Sequence, residues 1–250
     1  MQRREFLGIM GASALSTTAF GSQNSHLVSS VWLRSDQKES FSSVLKKLFL
    51  IQSTVGHANF NLISYDEALK IASAYSNVGK FTKKELDFIE EIFHVNPSMY
   101  GFYGRKTCER LTDRINLKDV IKIPSTGHYL FKGVSENAYR RAISDVGNTL
   151  VLTSGVRSVV KQMSLYLSKI QSTDGNISLA SRSLAPPAYS YHSLGDFDVG
   201  KKGWGYKNFT VSFTMTEEFW HLMKLPYISM RYTINNNDGV RFEPWHVKII

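Results

Sequence analysis

Apolar residues recur at helical spacing through the first half of the chain. Val44, Leu48 and Ile51 share one face of a helix predicted over residues 41–52, with Lys46 and Lys47 on the other side. Ser64 and Glu67 have the Ser-x-x-Glu form of a capping box, which predicts a helix from there through Ala74. Thr82 and Glu85 repeat the device, and the helix after them sets Leu86, Ile89, Ile92 and Phe93 on one face. A further helix is predicted over Lys106 to Ile115. Residues 22–38 are polar and serine-rich without a sustained period, and read as a short tether.

From about Val120 the pattern changes. Val120 to Ile123 and Leu150 to Thr153 are short runs rich in β-branched residues, with a helix predicted between them over Ser135 to Val146. Arg157 to Ile170 reads as a helix with Val160, Met163, Leu167 and Ile170 inward. Asp196 to Gly200 is strand-like. Thr216 to Lys224 is helical, with Glu217 and Glu218 in the first turn where the helix dipole favours them. Ile228 to Tyr232 and Val240 to Phe242 are predicted strands joined by the turn-forming run Asn235 to Gly239, and Val247 to Ile250 is a last short strand. Helices alternating with mainly antiparallel strands predict an α+β domain over residues 118–250: a small, mainly antiparallel sheet with flanking helices. A linker and helical region, residues 22–117, precede it.

Composition narrows the class. Hydrophobic content of 42% and charged content of 20% are those of a globular chain. The formal charge of +9 is spread over singles and pairs such as Lys83-Lys84 and Arg140-Arg141, with no basic block. Such a surface attracts polyanions in general, but no recognition motif supports nucleic acid as a partner. The single cysteine, Cys108, excludes an internal disulfide and cysteine-rich metal frameworks.

At the N-terminus, Arg3-Arg4 precede an uncharged stretch from Phe6 to Phe20, shorter than the ~20 residues a membrane-spanning helix needs. Ala19-Phe20-Gly21 sets small residues where a signal peptidase reads. The layout predicts a signal peptide over residues 1–21, and Arg-Arg-x-Phe-Leu resembles a twin-arginine export signal. The mature chain is then expected outside the cytoplasm, periplasmic or associated with the cell wall, with no transmembrane segment.

Two stretches concentrate chemistry: Ser190 to Asp198, and Glu243-Pro244-Trp245-His246. A hydrolytic zinc site needs three protein ligands, an open position for water and a carboxylate to take the water's proton. His192, Asp198 and His246 can supply two imidazoles and a carboxylate, and Glu243 the base. His26, His57, His94 and His221 carry no such context and read as ordinary surface or core residues; His128, on a predicted turn in the candidate catalytic half, is placed to touch substrate, though a structural role is the favoured reading.

Ser190-x-His192-x-x-Gly195 followed by an aspartate, with Glu243-x-Trp245-His246 downstream, resembles the VanY-type D-alanyl-D-alanine carboxypeptidases, zinc enzymes of the hedgehog and D-Ala-D-Ala peptidase fold. Thr153-Ser154-Gly155-Val156-Arg157-Ser158 with Gln162 is similar to that family's Ser-Gly-Tyr-Arg-Ser-x-x-x-Gln stretch, with Val156 in the tyrosine place. The resemblance covers residues 118–250. It implies Zn2+ on His192, Asp198 and His246. Glu243 would be general base and then acid, and Arg157 would hold an oxyanion or a substrate carboxylate. Ser190, Gln162 and Ser154 would be substrate-binding residues, and the substrate a D-amino-acid-containing peptide of peptidoglycan. The family's first histidine and aspartate are separated by six residues; His192 and Asp198 are separated by five, which leaves Asp196 as a competing ligand. Both aspartates fall on one side of a strand, and the order of flanking residues favours Asp198. Endopeptidase action on cross-links and a catalytically silent peptide-binding domain are the alternative readings.

Overall fold

The computed structural model describes residues 30–250. The predicted signal peptide, residues 1–21, lies outside them. Among the described residues no helix is long and apolar enough to cross a membrane.

The N-terminal region is a set of helices, α1 (Lys38–Val55), α2 (His57–Phe60), α3 (Tyr65–Ala74) and α4 (Lys83–His94). Both capping boxes form. The Ser64 hydroxyl accepts the Glu67 amide while the Glu67 carboxylate accepts the Ser64 amide at 2.7 Å, and Thr82 and Glu85 do the same at the start of α4. Each cap of this kind stabilises its helix by about 1 kcal/mol. The segment after α4 corrects one expectation, because residues 106–115 are not helical. The Thr107 and Cys108 amides donate to the Ala188 carbonyl at 2.7 and 3.2 Å, and the Asp113 carboxylate takes the Glu109 and Arg110 amides. Backbone donors committed there cannot build a helical ladder.

The C-terminal region holds a four-stranded antiparallel sheet with strand order β3-β4-β6-β5. Its strands are β3 (Leu150–Ser154), β4 (Phe197–Lys201), β5 (Ile228–Tyr232) and β6 (Glu243–Ile249). A separate hairpin pairs β1 (Val120–Ile123) with β2 (His128–Phe131). One sheet face buries Leu152, Phe197, Val199, Trp245 and Val247 together with residues of α5 (Val134–Val146) and α8 (Glu217–Leu222). The other face carries Ser154, Asp198 and His246, which line a cleft with Gln162 and Leu165 of α6 (Val159–Ser172). A second core joins α1, α3 and α4 to α6, to α7 (Ile177–Ser181) and to Tyr191, Tyr232 and Val240. The helical region and the sheet domain therefore meet on α6.

The predicted strand at Val240 to Phe242 is also corrected. Val240 is buried in the second core, and the Arg241 amide donates to the Arg182 carbonyl at 2.8 Å. The last strand instead begins at Glu243 and runs to Ile249.

Candidate metal centre and cleft

β6 carries Glu243 and His246, an odd separation that would send the two side chains to opposite faces of a regular strand. The pairing of β5 with β6 resolves this. Met230 is opposite Val247 but Tyr232 is opposite Glu243, so β6 spends four residues where β5 spends two. The irregularity spans Pro244, which has no amide to give to a ladder. It leaves Trp245 and Val247 in the core while Glu243 and His246 share the other side.

β4 brings the next group. Asp198 lies directly opposite His246 on β6 and opposite Ser154 on β3, after an irregularity between Leu152 and Ser154. Gly195 takes φ +116°, open to glycine but rarely to other residues, and turns the chain from the helical turn at Tyr191–Ser193 into β4. His192 on that turn then faces Asp198. The ligand atoms of His192, Asp198 and His246 all lie within 4.8 Å of one another, and all three side chains are buried.

Hydrogen bonds fix the ring nitrogens. His192 Nδ1 lies 2.8 Å from the Gly155 carbonyl oxygen, which can only accept, so Nδ1 carries the hydrogen. The Nε2 lone pair then faces Asp198 Oδ2 at 3.3 Å. Gly155 can be nothing larger, since a Cβ there would stand 2.0 Å from the Tyr129 carbonyl oxygen. On His246, Nε2 donates to Asp196 Oδ2 at 3.1 Å, while Nδ1 faces Asp198 Oδ1 at 3.3 Å and Glu243 Oε2 at 3.8 Å. Asp198 Oδ1 is buried and has no hydrogen-bond partner, the His246 contact lacking the geometry for one. Two imidazole lone pairs and an unsatisfied carboxylate oxygen converging on one point fit a tetrahedral cation with an open fourth position.

Charge around the triad agrees. Burial opposes ionisation of Asp198, but His192, His246 and Arg157 outweigh it and hold its carboxyl below the usual range. Burial, aided by Arg157, pushes His192 down to about 4, so the ring is neutral and able to ligate. Burial works against protonating His246 as well, and the hydrogen bond to Asp196 with the charges of Asp198, Asp196 and Glu243 raises it. Positive charge is stabilised where those carboxylates meet.

Asp196 is not among the three converging groups; it holds the far side of His246. Arg231 fixes Asp196 through two bonds, Nε to Oδ2 at 2.6 Å and Nη2 to Oδ1 at 2.8 Å, and stacks 3.9 Å above the Tyr191 ring. Histidine ligands ordinarily give their second N–H to such a partner, which fixes the tautomer and raises basicity. Both aspartates therefore address one imidazole, from opposite nitrogens.

Glu243 is buried, and burial, reinforced by Asp198, pushes its carboxyl up to about 7 against the pull of His246 and Arg241. A carboxyl with that affinity can take and return a proton near neutrality. Arg157, in the loop between β3 and α6, donates from Nη2 to Asp198 Oδ2 at 2.8 Å and from Nε to Ser154 Oγ at 2.8 Å. Gln162 faces it from α6 at 3.4 Å and spends its own amide on the Ala185 carbonyl at 2.7 Å. These groups line one cleft of about 380 Å³, together with Ser190. The cleft thus gathers every site residue expected from the sequence.

It also contains residues that none of the three motifs includes. His57 from α2, His128 from β2 and Lys161 from α6 line the same cleft. His57 and His128 meet edge to face with ring centroids 5.6 Å apart. Their spacing along the chain carries no motif, so only the fold brings them together.

Residues 132–250 match the family model described as VanY, D-alanyl-D-alanine carboxypeptidase. Comparison with curated protein sequences gave no match. Among solved structures, the LdcB LD-carboxypeptidase is 19% identical with a TM-score of 0.46, over 54% of this chain and 70% of that one. A vancomycin-resistance D,D-pentapeptidase VanY solved with Zn(II) is 19% identical with a TM-score of 0.45, over 60% and 88%. VanYB in complex with D-alanine-D-alanine is 22% identical with a TM-score of 0.41, over 52% and 76%. The three converging donors, Glu243 and Arg157 all fall within residues 132–250, the stretch that matches the VanY family model.

Proposed function

We propose that the chain is an exported zinc peptidase acting on D-amino-acid-containing peptides of peptidoglycan, and that its reaction is D-alanyl-D-alanine carboxypeptidase hydrolysis. The observation that carries this reading is the placement of Glu243. It is a buried carboxyl pushed up to about 7, set 3.8 Å from the His246 nitrogen that faces Asp198. A site that only bound metal for stability would need no such base.

His192 Nε2, Asp198 and His246 Nδ1 would hold the zinc. Bound there, the ion would supply Lewis acidity toward the scissile carbonyl and lower the pKa of water. Glu243 accepts the proton of the attacking water on its carboxylate and returns it to the leaving amine. Arg157, with N–H groups left over after its bonds to Ser154, Gln162 and Asp198, faces charge developing on the carbonyl oxygen. Ser154 and Gln162 steady that guanidinium, and Ser190 lies on the cleft wall along which a peptide backbone would run. Asp196 and Arg231 keep His246 in the tautomer that ligates.

The test is metal content of the purified chain together with hydrolysis of a peptide ending in D-Ala-D-Ala and of a cross-linked muropeptide. Stoichiometric zinc and release of D-alanine from the first substrate are expected. Cleavage of the cross-linked substrate alone would move the assignment to an endopeptidase. Zinc without turnover on either would leave a peptide-binding domain.

A further inference from the structure

Lys161 is a buried cation on the cleft wall. Its Nζ donates to Gln52 Oε1 of α1 at 3.2 Å and lies 5.5 Å from the Phe60 ring of α2. An ammonium has three hydrogens to place, and these neutral contacts use one as a hydrogen bond. The two carboxylates that line the cleft are engaged elsewhere. Asp198 is paired with Arg157, and Glu243 faces Arg241 at 3.8 Å and His246 at 3.8 Å. Among the described residues no carboxylate lies within ion-pair distance of Lys161. A buried charge without a counter-charge is costly unless a ligand completes it.

The neighbours of Lys161 are donors as well. Burial first, then His57 and Arg157, push His128 down to about 4; burial and Lys161 lower His57. Both rings are neutral near pH 7, and each has an N–H to offer. His57, His128 and Lys161 line the same cleft as His192, Asp198 and His246, which sets this donor cluster beside the metal centre. Gln52, His57, Phe60 and His128 all precede residue 132, so the helical region and the β1–β2 hairpin add this wall to the family domain.

We propose that Lys161, flanked by His57 and His128, is a carboxylate-binding subsite that selects peptides carrying a negative charge beside the scissile bond. The inference rests on the peptidase reading for the identity of the ligand. The carboxylate is either the terminal one of the peptide or the side-chain acid of a residue near the cleaved bond. Lys161 recognises the charge, while Arg157, already committed to Asp198, serves the reacting carbonyl.

Binding is read by calorimetry on the zinc-loaded full chain carrying Glu243→Ala, so that no peptide is consumed. Three probes are used: a peptide ending in D-Ala-D-Ala with a free carboxylate, its C-terminal amide, and that amide with one glutamate before the scissile bond. In this background, Lys161→Met is expected to weaken the anionic probe by about tenfold or more and to leave the neutral amide unchanged, while Lys161→Arg restores part of the loss. Preference for the first probe identifies the terminal carboxylate as the source; preference for the third identifies the side-chain acid. Equal binding of every probe by Lys161→Met and its parent overturns the subsite, and so does a parent that binds no anionic probe. Hydrolysis by the unmodified chain is measured separately. Turnover with an indifferent Lys161 sinks the subsite alone, and charge-dependent binding without turnover sinks the peptidase reading alone.

Discussion

Replacing Asp196 isolates the support of a single ligand. Asp196 Oδ2 accepts from His246 Nε2 at 3.1 Å and is itself held by two Arg231 bonds of 2.6 and 2.8 Å. The carboxylate touches His246 from the side away from Asp198, so its removal leaves all three proposed ligands in place. What changes is the tautomer and basicity of the ring. Loss of such a partner typically weakens metal binding by about 10–100-fold, or about 1.4–2.7 kcal/mol. Asp196→Asn keeps an oxygen acceptor but loses the charge, and is expected near the lower end; Asp196→Ala leaves the imidazole N–H and the Arg231 guanidinium without their partner, and is expected near the upper end. Zinc affinity measured by competition with a chromophoric chelator reads the difference directly, with near-UV circular dichroism confirming the native fold. An Asp196→Ala chain that is natively folded and binds zinc as tightly as the unmodified chain would refute the reasoning.

Gly155→Ala is expected to destabilise the fold by more than about 1 kcal/mol and to loosen zinc, because its Cβ would fall 2.0 Å from the Tyr129 oxygen and displace the carbonyl that orients His192. Urea unfolding and the same chelator assay check both effects. Glu85 is buried, which by itself raises its carboxyl, but bonds from Lys47 at 2.7 Å, from Ser43 and from the Thr82 amide hold it below its ordinary value of 4.5. A depressed folded value means its stabilisation is complete above about 4.5 and is lost as pH falls through the folded value. The stability gap between the unmodified chain and Glu85→Gln should therefore be constant near neutrality and shrink in acid; a gap that widens in acid would contradict the assignment.

How legible the molecule was depended on the range of the interactions involved. Ser64 with Glu67 and Thr82 with Glu85 are local devices, and both helix starts stand where that spacing puts them. Residues 106–115 have an adequate helical pattern, but the Thr107 and Cys108 amides answer to Ala188, some eighty residues away, and no local signal reports that. The strand expected at Val240 to Phe242 does not form, for a related reason. Val240 is apolar because it fills the core shared with α6, and the pairing of β6 begins only at Glu243.

The centre itself was legible because its residues sit in three short motifs, and His192, Asp198 and His246 do converge. The two aspartates could not be separated by strand alternation, since both do face His246; only the identity of the ring nitrogen each meets tells them apart. His57 and Lys161 were invisible as cleft residues because α1, α2 and α6 bring them together across a long stretch of chain.

The central claim is that Glu243 is the base beside a metal held by His192, Asp198 and His246. Its most direct test is Glu243→Ala, with zinc content and hydrolysis of a D-Ala-D-Ala-ended peptide measured on the same preparation. The account predicts undiminished stoichiometric zinc and a fall in turnover of about 10²–10⁴-fold. Full zinc with unchanged turnover would contradict it.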